Sequence, residues 1–149
     1  MKNRVVRQNF WKITLKYVCL FLFFGTAYFG IECLWRWSLA DWRMAIMGGF
    51  IAVLIGMINN LFSNDTSLIL QCILGALLTT LAEAILGTYW RQRGIFIWDY
   101  SSLPLTYVNG NVNLLFSMGW FLLSGLCIIL DDTIRWLFFH EKKPHYKLR

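Results

Sequence analysis

Residues 68–89 read LILQCILGALLTTLAEAILGTY, a run with one charged residue, Glu83, and no proline. About 20 helical residues at ~1.5 Å each cross the ~30 Å hydrocarbon core of a bilayer, so this stretch is long enough to span one. A carboxylate inside such a span costs several kcal/mol unless it is paired, protonated or wet. Glu83 therefore needs a partner, and finding it is the central question the sequence poses.

Working outward, three further runs have the same character. Residues 17–35 are broken only by Glu32, and residues 44–62 and 112–130 carry no charge. The 149-residue chain is 58% hydrophobic and only 15% charged, where soluble domains carry about 25% charged residues. The expectation is an all-α integral membrane protein, a four-transmembrane-helix bundle in one membrane domain over 1–149, with an outer loop at 90–111 and a cytoplasmic tail at 131–149. The first run exceeds the usual ~7–15-residue core of a signal peptide. Trp35, Arg36 and Trp37 follow it in place of a small-residue cleavage site, so it reads as a span.

The formal charge is +6, which raises nucleic acid as a partner, but the basic residues are placed otherwise. Lys2, Arg4, Arg7, Lys12 and Lys16 precede or open the first run, and Arg135, Lys142, Lys143, Lys147 and Arg149 follow the last. An even number of spans puts both ends on one side, and the positive-inside rule makes that side the cytoplasm. The partner this implies is the lipid bilayer, and no nucleic acid.

The link at 63–67 then reads as a cytoplasmic turn in which Asp65 or Thr66 caps the third helix. After Leu130 the sequence DDTIRWLFF continues as an amphipathic helical extension with Asp131 and Arg135 spaced i, i+4, at or leaving through the inner surface. Gly25, Gly48, Gly49, Gly56, Gly75 and Gly87 mark faces where helices approach closely, within the bundle or in a homo-oligomer. Cys19, Cys33, Cys72 and Cys127 lack paired spacing and read as packing residues, with no metal or disulfide framework. There is no phosphate-cradling G-x-x-x-x-G-K-[ST] stretch, so any ATP use would fall to a separate ATPase or transport subunit.

Glu32 and Glu83 carry the chemistry. Glu83 lies roughly 9 Å deep by helical rise, and Glu32 is shallower with Arg36 one turn on. Gly25, Tyr28, Glu32 and Arg36 share one stripe, and Gly75, Thr79, Glu83 and Gly87 another. If the stripes face each other, both carboxylates enter one outward pocket. Two main readings stay open: register-fixing pairs, Glu32 with Arg36 and Glu83 with Arg91 or a polar neighbour, or a polar vestibule for an ion, headgroup or small solute. Proton-shuttling or hydrolytic carboxylates lack a nearby His, Ser or Cys, so no catalytic residue, cofactor or enzyme activity is expected. Trp35, Trp37, Trp42, Tyr89, Trp90, Trp98 and Tyr100 form an aromatic belt. The Trp98-Asp99-Tyr100-Ser101 loop, running through Pro104 to the tight turn at Asn109-Gly110 and the amides of Asn111 and Asn113, is placed to fold back as a lid.

From about Glu32 to Leu148 the chain resembles the CmpB-like family of small bacterial membrane proteins, described as ABC-transporter type IV or ABC-transporter permeases. The resemblance rests on Glu32 with Trp35-Arg36, Met47-Gly48-Gly49, Ile55-Gly56 with Asn59-Asn60, Gly75-Ala76, and Glu83 with Gly87. Further along it rests on Trp98-Asp99-Tyr100-Ser101, Pro104, Gly110, Leu115-Phe116-Ser117 with Trp120, and Lys143-Pro144-His145-Tyr146. The chain departs from the family in the spacing from Pro104 to Asn109-Gly110, and in having Gly48-Gly49 where longer members carry glycine-proline-cysteine-proline. The resemblance implies a transporter-like component, here with Glu32, Arg36, Glu83, Asp99, Tyr100 and Asn111 lining an outward-facing ligand-binding site. The rival reading is an oligomeric membrane-permeabilising or scaffold protein of the phage holin type.

The charge distribution makes a direct prediction about topology. Cysteines introduced at Asn3, Asp65 and Lys147 should react only with reagents on the cytoplasmic side, and those at Ser38 and Ser102 only from outside; labelling of Ser102→Cys from the cytoplasm alone would overturn it.

Overall fold

Apolar runs bounded by capping residues fold here into helices. The computed structural model describes residues 10–58 and 66–148. It contains α1 (Phe10–Arg36), α2 (Trp42–Gly56), α3 (Leu68–Arg91), the antiparallel strands β1 (Thr106–Tyr107) and β2 (Val112–Asn113), and α4 (Leu114–Phe139). The chain is mostly helical. Among the described residues α1, α3 and α4 are long and apolar enough to cross a membrane, whereas α2 is apolar but has 15 residues, about 22 Å of helix. The expected continuation of α2 through Phe62 lies outside the described residues.

Capping chemistry sets the helix starts. The Asp41 side chain accepts from Arg43 N at the head of α2. Asn113 Oδ1 accepts from Leu115 N and Phe116 N at the head of α4, so residues 112–113 join the ribbon and the helix begins two residues later than expected. Ser67 caps α3 through Leu70 N, in place of the expected Asp65 or Thr66. Asp65 lies outside the described residues, and the Thr66 carbonyl accepts from Gln71 Nε2.

The helices pair as α1 on α2 and α3 on α4, and α2 also touches α3 and α4. Met44, Met47, Ile51 and Ile55 of α2, with Ile58 just past its end, recur at three- and four-residue steps, so they fall on one face. That face meets Ile97 and Trp98 of the loop and Ile128 of α4 to make the main core. Glycines allow the closest approaches. A Cβ on Gly25 would sit 2.5 Å from the Ala45 carbonyl oxygen, so α1 and α2 touch backbone to backbone there.

The distribution of polarity is inverted relative to a water-soluble bundle. Leu77, Leu81 and Ile85 on α3 and Met118, Leu122 and Leu126 on α4 form exposed apolar stripes at four-residue spacing. Gln71, Thr79, Glu83, Ser124, Asp131 and Arg135 are buried. An exterior of this kind is compatible with lipid as solvent and would be a liability in water.

The segment after Leu130 continues as a helix, as expected, with the Asp131–Arg135 pair turned into the fold. α4 continues without a break to Phe139, and Asp131 and Arg135 point inward rather than toward a solvated face. His140, at φ 56°, ends the helix, with its N–H bonded to the Arg135 carbonyl. Residues 140–148 then run back along the bundle: Leu68 N at the start of α3 donates to the Lys147 carbonyl at 2.8 Å, and Tyr146 Oη donates to Asp132 Oδ2 of α4 at 3.0 Å.

Close approach at Gly25 predicts an asymmetric pair of variants. Gly25→Ala must push α1 off α2 and should cost about 1–3 kcal/mol in detergent unfolding. Gly30→Ala, whose new Cβ would meet nothing within 4 Å, should be neutral or slightly stabilising.

Candidate functional site

Two polar clusters sit at opposite ends of the bundle, one under the 92–113 loop and the other beside the C-terminal end of α4. The first is built around Glu83, one turn beyond Thr79 on the inward face of α3. Glu83 is 2% exposed. Its Oε1 accepts from Tyr100 Oη at 2.9 Å and its Oε2 from Trp120 Nε1 at 3.0 Å. One donor comes from the loop and the other from α4, so a single carboxylate ties three parts of the fold together. Tyr100 is held in place by stacking on Phe116, with centroids 4.7 Å apart, and Trp120 by the Tyr28 ring of α1 at 6.0 Å.

Glu32 lies one turn beyond Tyr28. Its Oε2 accepts from Arg36 Nε at 3.0 Å, and Arg36 Nη1 also donates to the Ile97 carbonyl at 3.0 Å. The expected Glu32–Arg36 pair therefore forms and doubles as a loop anchor. The expected Glu83–Arg91 pairing does not form. Instead Arg91 Nε donates to Asn111 Oδ1 at 3.0 Å and Arg91 Nη2 to Asp99 Oδ1 at 3.1 Å. Both atoms belong to the loop that follows Arg91, and its fold brings them back over the end of α3 before Glu83 can compete.

Asp99, Arg91 and Asn111 thus form a staple beside the Glu83 chamber. Asn111 is 1% exposed; its Nδ2 donates to Thr88 Oγ1 at 3.3 Å and its carbonyl accepts from Trp98 Nε1 at 2.9 Å. The Ser101 hydroxyl and backbone N–H donate to Asp99 and hold it below the usual carboxylate range, with Arg91 adding its charge. The turn that returns the chain needs residues at positive φ, supplied by Val108, Asn109 and Gly110. At Gly110 a side chain would also collide with Asp99 and Ser101, so only glycine fits both the dihedral and the space. Burial, followed by the neighbouring Glu83 carboxylate, raises the Tyr100 phenol well above its ordinary range, so its hydroxyl remains a proton donor.

Of the residues singled out in the sequence, Glu83 and Tyr100 are bonded to each other, Glu32 is paired with Arg36, and Asp99 and Asn111 are both held by Arg91. Trp120 is the member that reasoning from charge alone passes over. Its indole lies within the apolar run 112–130, and only the fold puts its N–H on Glu83.

The second cluster was legible only in part. The Asp131–Arg135 contact forms, with Arg135 Nε 3.4 Å from Asp131 Oδ2. Arg135 also lies 3.8 Å from Glu141 Oε2 and donates to Tyr17 Oη at 3.2 Å, while Lys16 pairs with Glu141. Lys16 and Glu141 are 125 positions apart, so no local pattern announces them. Against protein-family models, curated proteins and solved structures, the chain matches none; the site stands on its own geometry.

Removing only the Tyr100 hydroxyl tests the latch. Tyr100→Phe keeps the stack on Phe116 but leaves one Glu83 oxygen without its donor, which should cost about 1–3 kcal/mol of thermal stability in detergent. It should also speed tryptic cleavage at Arg91 and Arg93. Unchanged stability and cleavage would show that the hydroxyl does not hold the loop.

Proposed function

We propose that this protein is a small multi-pass membrane protein with four spans and both ends in the cytoplasm, acting as a transporter-like, permease-type component whose ligand site is the Glu83 chamber beneath the outer loop. The observation that carries this reading is the environment of Glu83. Both of its oxygens are held by neutral donors, and the arginines of that end are engaged elsewhere, Arg36 on Glu32 and Arg91 on Asp99. A purely structural buried carboxylate is expected to sit on a cation, because an uncompensated charge in a low-dielectric interior is strongly unfavourable. A carboxylate given only hydrogen bonds, one of them from a loop that can lift away, is suited to receiving its countercharge from a ligand.

The resemblance to the CmpB-like permeases supports the same direction. Transport driven by ATP would need a separate nucleotide-binding subunit. The inverted polarity, with apolar stripes outward and ionisable groups inward, supports placement in a bilayer. The cluster of Lys16, Arg135 and Glu141 then faces the cytoplasm, in keeping with the positive-inside rule.

Glu83→Gln preserves shape while deleting the charge: its amide oxygen can still accept from Trp120 Nε1, and its amide nitrogen can donate to Tyr100 Oη, which serves as acceptor in turn. It should insert and fold like the wild type yet lose ligand-dependent stabilisation or transport. Glu83→Ala strands both donors and should fold poorly. Normal activity in Glu83→Gln would reduce the chamber to a packing feature. Expression at modest levels should leave the membrane potential intact; prompt depolarisation would favour the oligomeric, holin-like alternative.

A further inference from the structure

The seam between α1 and α4 supplies the chamber with a second half. α1 lies along α2 and α4 along α3, and α1 meets α4 only sparingly. Between residues 23–31 and 120–130 the seam opens into an apolar groove of about 170 Å³, walled by Phe23, Ala27, Ile31, Leu123, Leu126 and Leu130. Tyr28 and Trp120 also line it, their rings 6.0 Å apart, and Trp120 is the ring whose Nε1 donates to Glu83. Phe23 and Ile31 are each 49% exposed and Leu126 52%, so the groove opens sideways, toward hydrocarbon if the helices span a bilayer.

We infer that the ligand of this site is an amphipathic organic monocation, its apolar body in the α1–α4 groove and its cationic head against the Tyr28 and Trp120 rings beside Glu83. This rests on the reading of the Glu83 chamber as a ligand site. Charge complementarity selects the sign. The carboxylates of Glu32 and Asp99 are paired with Arg36 and Arg91, whereas that of Glu83 is held only by the hydroxyl of Tyr100 and the indole N–H of Trp120. Aromatic faces add to the attraction for a cation, by about 0.5–2 kcal/mol each depending on desolvation.

The wall chemistry selects the body. A polar solute needs several hydrogen-bonding groups to replace water, yet the groove offers little beyond Thr79, already bonded to the Gly75 carbonyl, and Ser124. A hard metal cation needs about six or more oxygen ligands, and among the described residues no group of three His, Cys, Asp or Glu is placed to hold one. An anion would lie beside the Glu83 carboxylate with no partner for its charge among the groove residues. An amphipathic cation satisfies all of these conditions. Because it dissolves in the bilayer, it also reaches the groove from the side while the loop stays latched above.

The test is equilibrium dialysis of the full chain in nanodiscs against tetraphenylphosphonium, its isosteric anion tetraphenylborate, and tetramethylammonium, which has a cationic head but no body. Tetraphenylphosphonium should bind saturably, and weaken about tenfold or more, some 1.4 kcal/mol, in Glu83→Gln and in Ala27→Trp, which fills the groove. Binding should persist in Leu81→Ala on the outer face of α3. Equal binding of the phosphonium and the borate, or phosphonium binding indifferent to both site variants, would overturn the inference. Should Glu83→Gln fail to fold, Ala27→Trp alone decides. Tetramethylammonium binding as tightly as the phosphonium, dependent on Glu83, would keep the chamber as a site and discard the groove. Absence of binding by either cation to folded wild-type protein would discard both.

Discussion

A carboxylate buried between helices is the constraint on which this structure turns. Glu83 must hydrogen-bond both oxygens or forfeit several kcal/mol, and it does so by drawing one donor from a loop and one from a neighbouring helix. The loop is therefore not a free connection. Tyr100 pins its middle to α3, Arg36 holds the Ile97 carbonyl, and Arg91 with Asn111 closes its two ends against each other. Loop order and bundle order become one property.

The same accounting at the other end gives a different answer. There the charges meet as ion pairs, Lys16 with Glu141 and Arg135 with Asp131 and Glu141, and they join the start of α1 to the end of α4. Asp131 also packs into the space left by Gly56, where a Cβ would lie 2.5 Å from its carboxyl carbon. Cations and anions balance in this cluster, whereas at the loop end Glu83 has hydrogen bonds in place of a cation. Between the two ends lies an apolar middle layer in which α1 and α4 leave their seam open. That asymmetry is what separates a clamp from a candidate site.

Much of the architecture was legible along the chain because its causes are local. Helical runs need apolar length, and four such runs are plain; helix starts need a side-chain acceptor, and Asn113 provides one. Errors arose where two local acceptors competed. Ser67, rather than Asp65 or Thr66, caps α3, a choice made by one or two residues of backbone geometry that composition does not resolve. The helix that continues after Leu130 and its i, i+4 pair follow from local spacing, but the side to which the pair turns does not. In the fold the same charges face Lys16, Tyr17 and Glu141, and the helix is buried on that side.

For the site, the sequence by itself determined that Glu32 and Glu83 had to be accounted for, because ionisable groups in apolar runs carry a cost wherever they point. It also determined the Glu32–Arg36 pair and the turn at Asn109-Gly110, both set by spacing of four residues or fewer. Only the tertiary structure decided which partner Glu83 takes. Arg91 is eight residues away and charged, Tyr100 and Trp120 are farther and neutral, and proximity in sequence favours the arginine. The loop reverses that order, since folding back brings Asp99 and Asn111 onto Arg91 and leaves Glu83 to the phenol and the indole. Which donor reaches a buried acceptor depends on the path of the backbone between them, and that path is a property of the whole fold.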